Sequence, residues 1–270
     1  MTPSEFDEYT RFYEAICKQP DFIGRYYDKT TSAYVDEGHD VLTAGLWSSD
    51  IDTHIDIQIS RCFPSATSGL ILDAGCGVGR YAKRVAERFL KANLIGLTVS
   101  QFQIEEAKRL GNDHERIEYR QGSYDDLSFL EDESLSGAYF FQSIGYRPLT
   151  RTFAALVPKL KPGAFVSIVD MSSLDDMDIN DVACIRNMQE NWYYAFFPLD
   201  YQLTAAKLFG LEPVVINRNL NLFLDWKPWN DLMANSLGEH HEPTGNDGSL
   251  KVSEVIYVKP THAGVKPPQI

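Results

Sequence analysis

The sequence predicts an α/β fold in which a mostly parallel sheet of seven strands is covered by helices on both faces. Short apolar runs alternate with helical segments from residue 69 onward, and this alternation is typical of a parallel sheet. No long helix separates the last two apolar runs, so we expect the last strand to be antiparallel. A glycine-rich turn follows the first apolar run, which indicates that a ligand binds where that strand ends.

The individual elements follow from the period and the length of the apolar pattern. The predicted strands are 69–74, 92–99, 116–122, 136–143, 164–170, 212–218 and 254–260. The helices predicted between them are 79–90, 100–110, 150–160 and 200–209. Helical spacing of apolar residues also predicts helices at 4–18 and 51–62, whereas we expect residues 26–47 to be irregular.

These elements divide the chain into three regions. Residues 1–66 are predicted to form a helical cover over a ligand site, and residues 67–260 are predicted to form the ligand-binding catalytic domain. Residues 219–250 would be a long insertion before the last strand. The polar tail at 261–270 is predicted to be disordered.

The charge of the chain restricts its partners. With 38 acidic and 25 basic residues, the formal net charge is −13 at pH 7, which argues against nucleic acid and anionic membranes as partners. We therefore expect a small-molecule substrate, and the composition leaves a homodimer open as the assembly.

Cysteine spacing and apolar runs predict the compartment. The four cysteines form no CxxC pair, which favours reducing conditions over a disulfide framework or a zinc site. The polar N-terminus is unlike a signal peptide, and no apolar run approaches the roughly 20 residues that span a bilayer. We expect a cytoplasmic protein without a membrane segment.

The most informative segment is LILDAGCGVGRYAKRV, in which a strand meets a helix through Asp73, Gly75, Gly77 and Gly79. Glycines let the backbone approach a ligand without interference from a Cβ atom. A dinucleotide fingerprint would have its third glycine where Arg80 stands, and Asp73 would repel a pyrophosphate. S-adenosylmethionine instead carries an ammonium and a sulfonium, which a carboxylate favours, and its own carboxylate suits a helix N-terminus.

This segment resembles the first motif of class I S-adenosylmethionine-dependent methyltransferases, and the resemblance extends over roughly residues 25–260. It implies their Rossmann-like fold and their cofactor, S-adenosylmethionine, with Asp73 and the loop from Gly75 to Gly79 around the methionine part. The family usually has an acidic residue at the end of the second strand, where this sequence has Thr98 in GLTVSQFQ. That variant is similar to a branch with cyclopropane fatty acid synthases and tocopherol, sterol and geranyl diphosphate methyltransferases, in which Thr98 and Gln103 would face the ribose.

Two later segments resemble further parts of the family pattern. RQGSYDDLSF stands in the place of the third motif, which implies that Ser123 and Tyr124 adjoin the adenine. YFFQSIGYRP, after the fourth strand, is expected to lie beneath the methyl group, where C-methyltransferases of the branch often have N-E-S-x-x-Y. Gln142 replaces that glutamate, and an amide can orient a substrate but cannot accept a proton at neutral pH. The predicted catalytic residues are Gln142, which also contacts the cofactor, Tyr146 and Glu190.

Aromatic segments outside the motifs are expected to bind the substrate, which is the methyl acceptor in this family. The predicted acceptor-binding residues are Tyr27, His39, Trp47, Trp192 and Tyr193. His240 and His241 lie in a polar stretch and are predicted to be solvated, so we expect no metal site.

The resemblance implies a methyltransferase of secondary metabolism that acts on a small, largely apolar acceptor. The branch favours C-methylation of a terpenoid or prenyl-type substrate. O- or N-methylation of an aromatic natural product is the alternative, because it needs no carboxylate base and tolerates Gln142. A hypothesis from another class is a cyclase, or another cofactor-binding protein of this fold, that transfers no methyl group.

Overall fold

The computed structural model describes residues 1–36, 51–173, 193–218 and 250–261. Within these ranges the helices are α1 (Pro3–Ile16), α2 (Pro20–Asp36), α3 (Ile51–Cys62), α4 (Arg80–Arg88), α5 (Gln101–Arg109), α6 (Leu149–Leu156) and α7 (Leu199–Leu208). The strands are β1 (Gly69–Ala74), β2 (Ala92–Thr98), β3 (Ile117–Gln121), β4 (Leu135–Phe141), β5 (Leu160–Ser173), β6 (Glu212–Asn217) and β7 (Leu250–Val258).

The seven strands form one sheet in the order β3-β2-β1-β4-β5-β7-β6. Strands β1 to β5 run parallel, and β7 runs antiparallel to both β5 and β6. The predicted Rossmann-like fold and its antiparallel last strand are therefore confirmed. Strands β2 and β3 lie on one side of β1, and β4 and β5 lie on its other side, so the strand order reverses at β1. Ligands of open α/β sheets bind at such a switch point.

The two faces of the sheet are buried under different helices. Ile71 and Leu72 are neighbours in β1, and both are fully buried on opposite faces because side chains alternate along a strand. Ile71 belongs to a core cluster with Ile55 of α3 and Val85 of α4, whereas Leu72 belongs to a cluster with Phe153 of α6. Burial on both faces explains why the strands are continuous apolar runs in the sequence.

The predicted irregular stretch at 26–47 is wrong for its first part, because α2 is helical from Pro20 to Asp36. The inward positions of α2 are four residues apart, at Ile23, Tyr27, Thr31 and Val35, which is the spacing of one helical face. Two of these four side chains carry hydroxyl groups, so the face gives only a weak apolar pattern. Residues 37–47 lie outside the described residues.

Several predicted features also fall outside the described residues. These are the insertion at 219–250, apart from its last residue, and the tail at 261–270, apart from its first. The division into 1–66 and 67–260 stays a prediction. Among the residues that the structure describes, no helix is both long and apolar enough to cross a membrane.

Candidate cofactor and acceptor site

The glycine-rich loop connects the end of β1 to the start of α4. Its first turn is anchored to β2, because the backbone N–H groups of Gly75 and Cys76 donate to the Leu97 carbonyl oxygen at 2.8 and 3.0 Å. Gly77 has a φ of 54°, and a Cβ atom added to it would meet no atom within 4 Å. A Cβ atom on Gly79 would instead collide with the side chain of Tyr119 on β3. Gly77 therefore faces open space, whereas Gly79 allows the loop to pack against the sheet.

A cavity lies beside this loop at the carboxyl ends of the parallel strands. It is lined by the loop, the ends of β2 and β4, the turn after β3 and part of α2. The predicted site residues in its lining are Tyr27, Gly75, Gly77, Thr98, Gln103, Ser123, Tyr124, Gln142 and Tyr146. Those that the structure describes outside the lining are Asp73, Gly79 and Tyr193. Those that lie outside the described residues are His39, Trp47, Glu190 and Trp192.

Asp73 lies in β1 directly before the loop and is only 3% exposed. Burial raises the pKa of its carboxyl group to about 7, and the nearby Tyr139 hydroxyl acts in the opposite direction. The Oδ2 atom of Asp73 is buried and accepts no hydrogen bond from the described residues. Because an unsatisfied buried carboxylate is unfavourable, this position suits a positively charged ligand group. Together with the open space at Gly77, it fits the ammonium-bearing methionine part of S-adenosylmethionine.

Thr98 stands where the family usually has a carboxylate, and Gln103 is hydrogen-bonded to it. Thr98 Oγ1 donates to Gln103 Oε1 at 2.5 Å, and Gln103 Nε2 donates to Thr31 Oγ1 of α2 at 3.2 Å. Ser100 caps α5, since its hydroxyl oxygen accepts from the Gln103 N–H at 3.1 Å, and it donates to Asp28 at 2.5 Å. The end of β2 therefore offers neutral amide and hydroxyl groups to a ligand, and these groups are tied to α2.

The turn after β4 is held by three neighbouring segments. Gln142 has a positive φ of 53°, and its backbone N–H donates to the Val169 carbonyl of β5 at 2.9 Å. Ser143 Oγ donates to the Ala74 carbonyl of β1 at 2.5 Å. The Tyr124 hydroxyl donates to the Ser143 carbonyl at 2.6 Å. Gln142 thus lines the cavity from a well-anchored backbone.

Two tyrosines from distant parts of the chain meet in the cavity wall. The hydroxyls of Tyr27 on α2 and Tyr146 after β4 are hydrogen-bonded to each other, and their ring centroids are 5.5 Å apart at an angle of 80°. Burial raises the pKa of Tyr146 well above its ordinary value. Tyr146 therefore stays protonated at neutral pH, so it can orient a ligand through hydrogen bonds but is a weak base.

Asp170 and Tyr194 support this wall, and Asp170 was not predicted from the sequence. The Tyr194 ring packs edge-on against Tyr146 with centroids 4.6 Å apart, and its hydroxyl donates to Asp170. Asp170 is 2% exposed and also accepts from the Ile144 N–H at 3.2 Å. Burial raises the pKa of Asp170 to about 7. A usable signal was present, because Asp170 ends the predicted fifth strand just as Asp73 precedes the turn after the first.

Tyr193 lies beside the cavity without lining it. Its ring packs edge-on against Phe22 and Tyr26 of α2, with centroids 4.7 and 5.4 Å apart. Its backbone has a positive φ of 57°. Tyr193 therefore contacts the helix that carries Tyr27, and a role in acceptor binding stays a prediction.

Two arginines in the cavity lining are paired with carboxylates. Arg147 Nη2 lies 2.5 Å from Asp125 Oδ2, and Arg80 Nη2 lies 2.5 Å from Asp52 Oδ1. Within the described ranges, no Asp or Glu side chain is part of the lining. This part of the wall therefore offers no carboxylate that could remove a proton from a bound acceptor.

Comparison with known proteins agrees with this geometry. A family model described as a methyltransferase domain matches residues 71–163. The chain is 29% identical over 161 residues to the O-methyltransferase resE of Aspergillus sclerotiorum, which covers 55% of this chain and 60% of that protein. It is 28% identical over 168 residues to a sterol 24-C-methyltransferase of Saccharomyces cerevisiae, which covers 59% of this chain and 43% of that protein. The chain thus matches about half the length of these curated relatives.

Solved structures share the fold at low sequence identity. A geranyl diphosphate C-methyltransferase from Streptomyces coelicolor, solved with Mg2+, geranyl diphosphate and S-adenosyl-L-homocysteine, has a TM-score of 0.66 and 16% identity, covering 89% of this chain and 97% of that one. The cyclase SpnF has a TM-score of 0.70 and 17% identity, covering 91% of this chain and 97% of that one. Because this fold carries more than one reaction, the likeness shows the fold alone.

The family model, the relatives and the sheet order all agree with the motif from Asp73 to Gly79. The cofactor that this family uses is S-adenosylmethionine, and the predicted recognition of the family is confirmed. Residues 71–163 therefore match the methyltransferase domain family, and the described part of the chain has the fold of class I S-adenosylmethionine-dependent methyltransferases.

Proposed function

We propose that this protein transfers the methyl group of S-adenosylmethionine to a small, largely apolar acceptor of secondary metabolism. The observation that carries the proposal is a single cavity with two kinds of wall. The glycine-rich loop and the end of β2 form a cofactor wall, and side chains such as Ile23, Tyr27, Phe141 and Tyr146 form an acceptor wall. A cofactor on the first wall would present its sulfonium methyl group to an acceptor on the second.

Each part of the cofactor has a matching group in this proposal. Asp73 binds the ammonium group, and this contact stabilises the ionised carboxylate. Gly77 leaves room for the methionine chain, which a Cβ atom would obstruct. The remaining contacts are Thr98 and Gln103 with the ribose, and Ser123 and Tyr124 with the adenine.

The acceptor wall supports O-methylation as the first candidate. Methyl transfer from a sulfonium is an in-line displacement, so the protein mainly has to align the reactants in a dry pocket. The hydroxyl pair of Tyr27 and Tyr146 can hydrogen-bond to a hydroxyl group of the acceptor and direct its oxygen towards the methyl group. Gln142 adds an uncharged orienting group, and the described lining contains no carboxylate. The acceptor oxygen must also lose its proton, which a phenol can release to water, whereas the carbocation formed by attack of an alkene needs a base placed beside it. The described lining therefore favours attack by a phenolic oxygen.

C-methylation of a terpenoid or prenyl-type substrate is the second candidate. The similarity to a sterol 24-C-methyltransferase favours it. The base that the sequence suggests is Glu190, which lies outside the described residues. Glu190→Gln keeps the shape of the side chain and removes its basicity, so C-methylation through this residue should fall by about 100-fold or more. O-methylation at the tyrosine pair should be unaffected by the same change.

Incubation of the purified protein with S-adenosylmethionine and a panel of apolar alcohols, phenols and alkenes tests the proposal. We expect release of S-adenosylhomocysteine and a product that has gained one methyl group on oxygen. A methyl group on carbon would support the second candidate. An isomerised product without release of S-adenosylhomocysteine would support the cyclase hypothesis and contradict methyl transfer.

A further inference from the structure

Arg147 is a cation of the cavity wall that is buried together with its carboxylate partner. The side chains of Arg147 and Asp125 are only 6% and 10% exposed, and Nη2 lies 2.5 Å from Asp125 Oδ2. Nε donates to the same oxygen at 2.6 Å, and Nη1 donates to the Lys18 backbone carbonyl at 2.6 Å. All three guanidinium nitrogens are therefore engaged by groups of the protein itself.

Asp125 is also held from a second side. The hydroxyl of Ser123, another residue of the cavity lining, donates to Asp125 Oδ1. A phosphate that bound Arg147 through Nε and Nη2 would have to displace this carboxylate and leave it buried without its cation. Separating a buried ion pair in this way is strongly unfavourable. The pair thus makes Arg147 a poor site for an anionic ligand.

Arg80, the other cation of the described lining, is compensated by Asp52 of α3 at 2.5 Å. Arg80 begins α4, on the cofactor side of the cavity. The remaining lining residues in the described ranges are uncharged. The net charge of −13 adds a general repulsion of anions.

We infer that the methyl acceptor is electrically neutral where it enters this cavity. A prenyl or terpenoid acceptor would bind as an alcohol or a hydrocarbon, and not as a phosphate or diphosphate ester. This inference rests on the proposed methyl transfer and narrows its substrate class. Its basis is the buried Arg147–Asp125 pair, in which each guanidinium nitrogen contacts an oxygen of the protein. The other lining residues of the described ranges are uncharged, apart from the paired Arg80.

Inorganic pyrophosphate is the probe, and its binding to the protein loaded with S-adenosylhomocysteine can be measured by calorimetry without any turnover. We expect the wild type not to bind pyrophosphate at millimolar concentration. Asp125→Asn keeps the side-chain shape and leaves the charge of Arg147 uncompensated, so it should bind pyrophosphate at least about ten-fold more tightly. Asp132→Asn is the matched control, because it removes the same charge from an exposed pair with Lys159. This control should behave like the wild type.

Pyrophosphate binding by the wild type as tight as that by Asp125→Asn would overturn the inference, and so would an Asp125→Asn variant that binds no better than the wild type. If Asp125→Asn does not fold, the inference is tested on the wild type by comparing methylation of a prenyl alcohol with methylation of its diphosphate ester. Methylation of the alcohol, without inhibition by pyrophosphate, is the expected result. Preferential methylation of the diphosphate ester contradicts the inference while leaving methyl transfer intact. Release of no S-adenosylhomocysteine with any acceptor counts against the proposed function, whereas the pyrophosphate measurement stays valid.

Discussion

The cofactor wall and the acceptor wall of the cavity are built in different ways. The cofactor wall comes mainly from two short stretches of chain, 75–80 and 97–103, and each joins a strand to a helix. The acceptor wall joins Tyr27 on α2 to Tyr146 after β4, which are 119 residues apart in the sequence. A local motif can therefore specify the first wall, whereas the second depends on how distant segments pack.

The two walls also use different parts of their residues. At the cofactor wall the shape comes from backbone, as at Gly77, where a Cβ atom would enter open space. At the acceptor wall the shape comes from side chains, in particular the tyrosine pair and the Tyr194 ring packed behind it. Substitutions in the cofactor wall should therefore lower cofactor affinity, whereas substitutions in the acceptor wall should lower turnover.

The largest effect is expected from Gly77→Val. Its branched side chain would occupy the space that we assign to the methionine part, so binding of S-adenosylhomocysteine should be abolished. Gly111→Val is the matched control, because Gly111 also has a positive φ, 69°, and open space around its Cβ position, but it does not line the cavity. The control should lose about 1–3 kcal/mol of stability through backbone strain and retain binding. Equal binding by both variants, measured by calorimetry, would show that Gly77 does not face the cofactor.

Tyr146→Phe should lower turnover by about 100-fold or more, because it removes a hydroxyl that orients the acceptor. Affinity for S-adenosylhomocysteine should stay within about two-fold of the wild type, since the residue belongs to the acceptor wall. The control is Tyr257→Phe on β7. It removes a buried hydroxyl that accepts a hydrogen bond from Gln202 Nε2 at 3.1 Å. Steady-state kinetics should show a loss in the first variant alone. A similar loss in both would mean that the effect is a general one on folding.

Gln142→Ala should have a smaller effect, about 10-fold to 100-fold on turnover, as expected for a lost orienting contact. Cofactor affinity should change little. If Gln142→Ala, Tyr146→Phe and Glu190→Gln all retain wild-type turnover on the true acceptor, the acceptor does not bind at the end of β4. The acceptor wall would then have to come mainly from the aromatic segments at the N-terminus.

The smallest expected effect concerns pH, since one buried carboxyl group lies behind each wall. Burial raises the pKa values of Asp73 and Asp170 from 3.8 to about 7. Folding thus favours the protonated carboxyl groups. Their contribution to the free energy of unfolding is fully present below about pH 4 and is lost as the pH rises through 7. Without cofactor, the melting temperature of the wild type should fall between pH 5 and pH 8 by more than that of Asp170→Asn. Identical profiles for the two proteins would contradict the assigned environment of Asp170.

The two walls also differ in how far they could be predicted from the sequence. Strand β1 was predicted to the residue, and the start of α4 after the glycine-rich loop was predicted to within one residue, because apolar period and glycine spacing agree. Helix α2 was missed, because its inward face carries Tyr27 and Thr31 and so lacks a clear apolar stripe. Asp170 was missed because its role depends on contacts across the fold, although its place at the end of the predicted fifth strand was a usable signal.

We expect S-adenosylmethionine to bind at the cofactor wall with its ammonium group held by Asp73. Calorimetry of S-adenosylhomocysteine binding to the wild type, Asp73→Asn and Asp170→Asn tests it most directly, because both carboxyl groups are buried and have similarly raised pKa values. We predict affinity on the order of micromolar for the wild type and Asp170→Asn, and at least about ten-fold weaker binding for Asp73→Asn, the loss expected for a charge-assisted contact. Undiminished binding by Asp73→Asn would contradict the account.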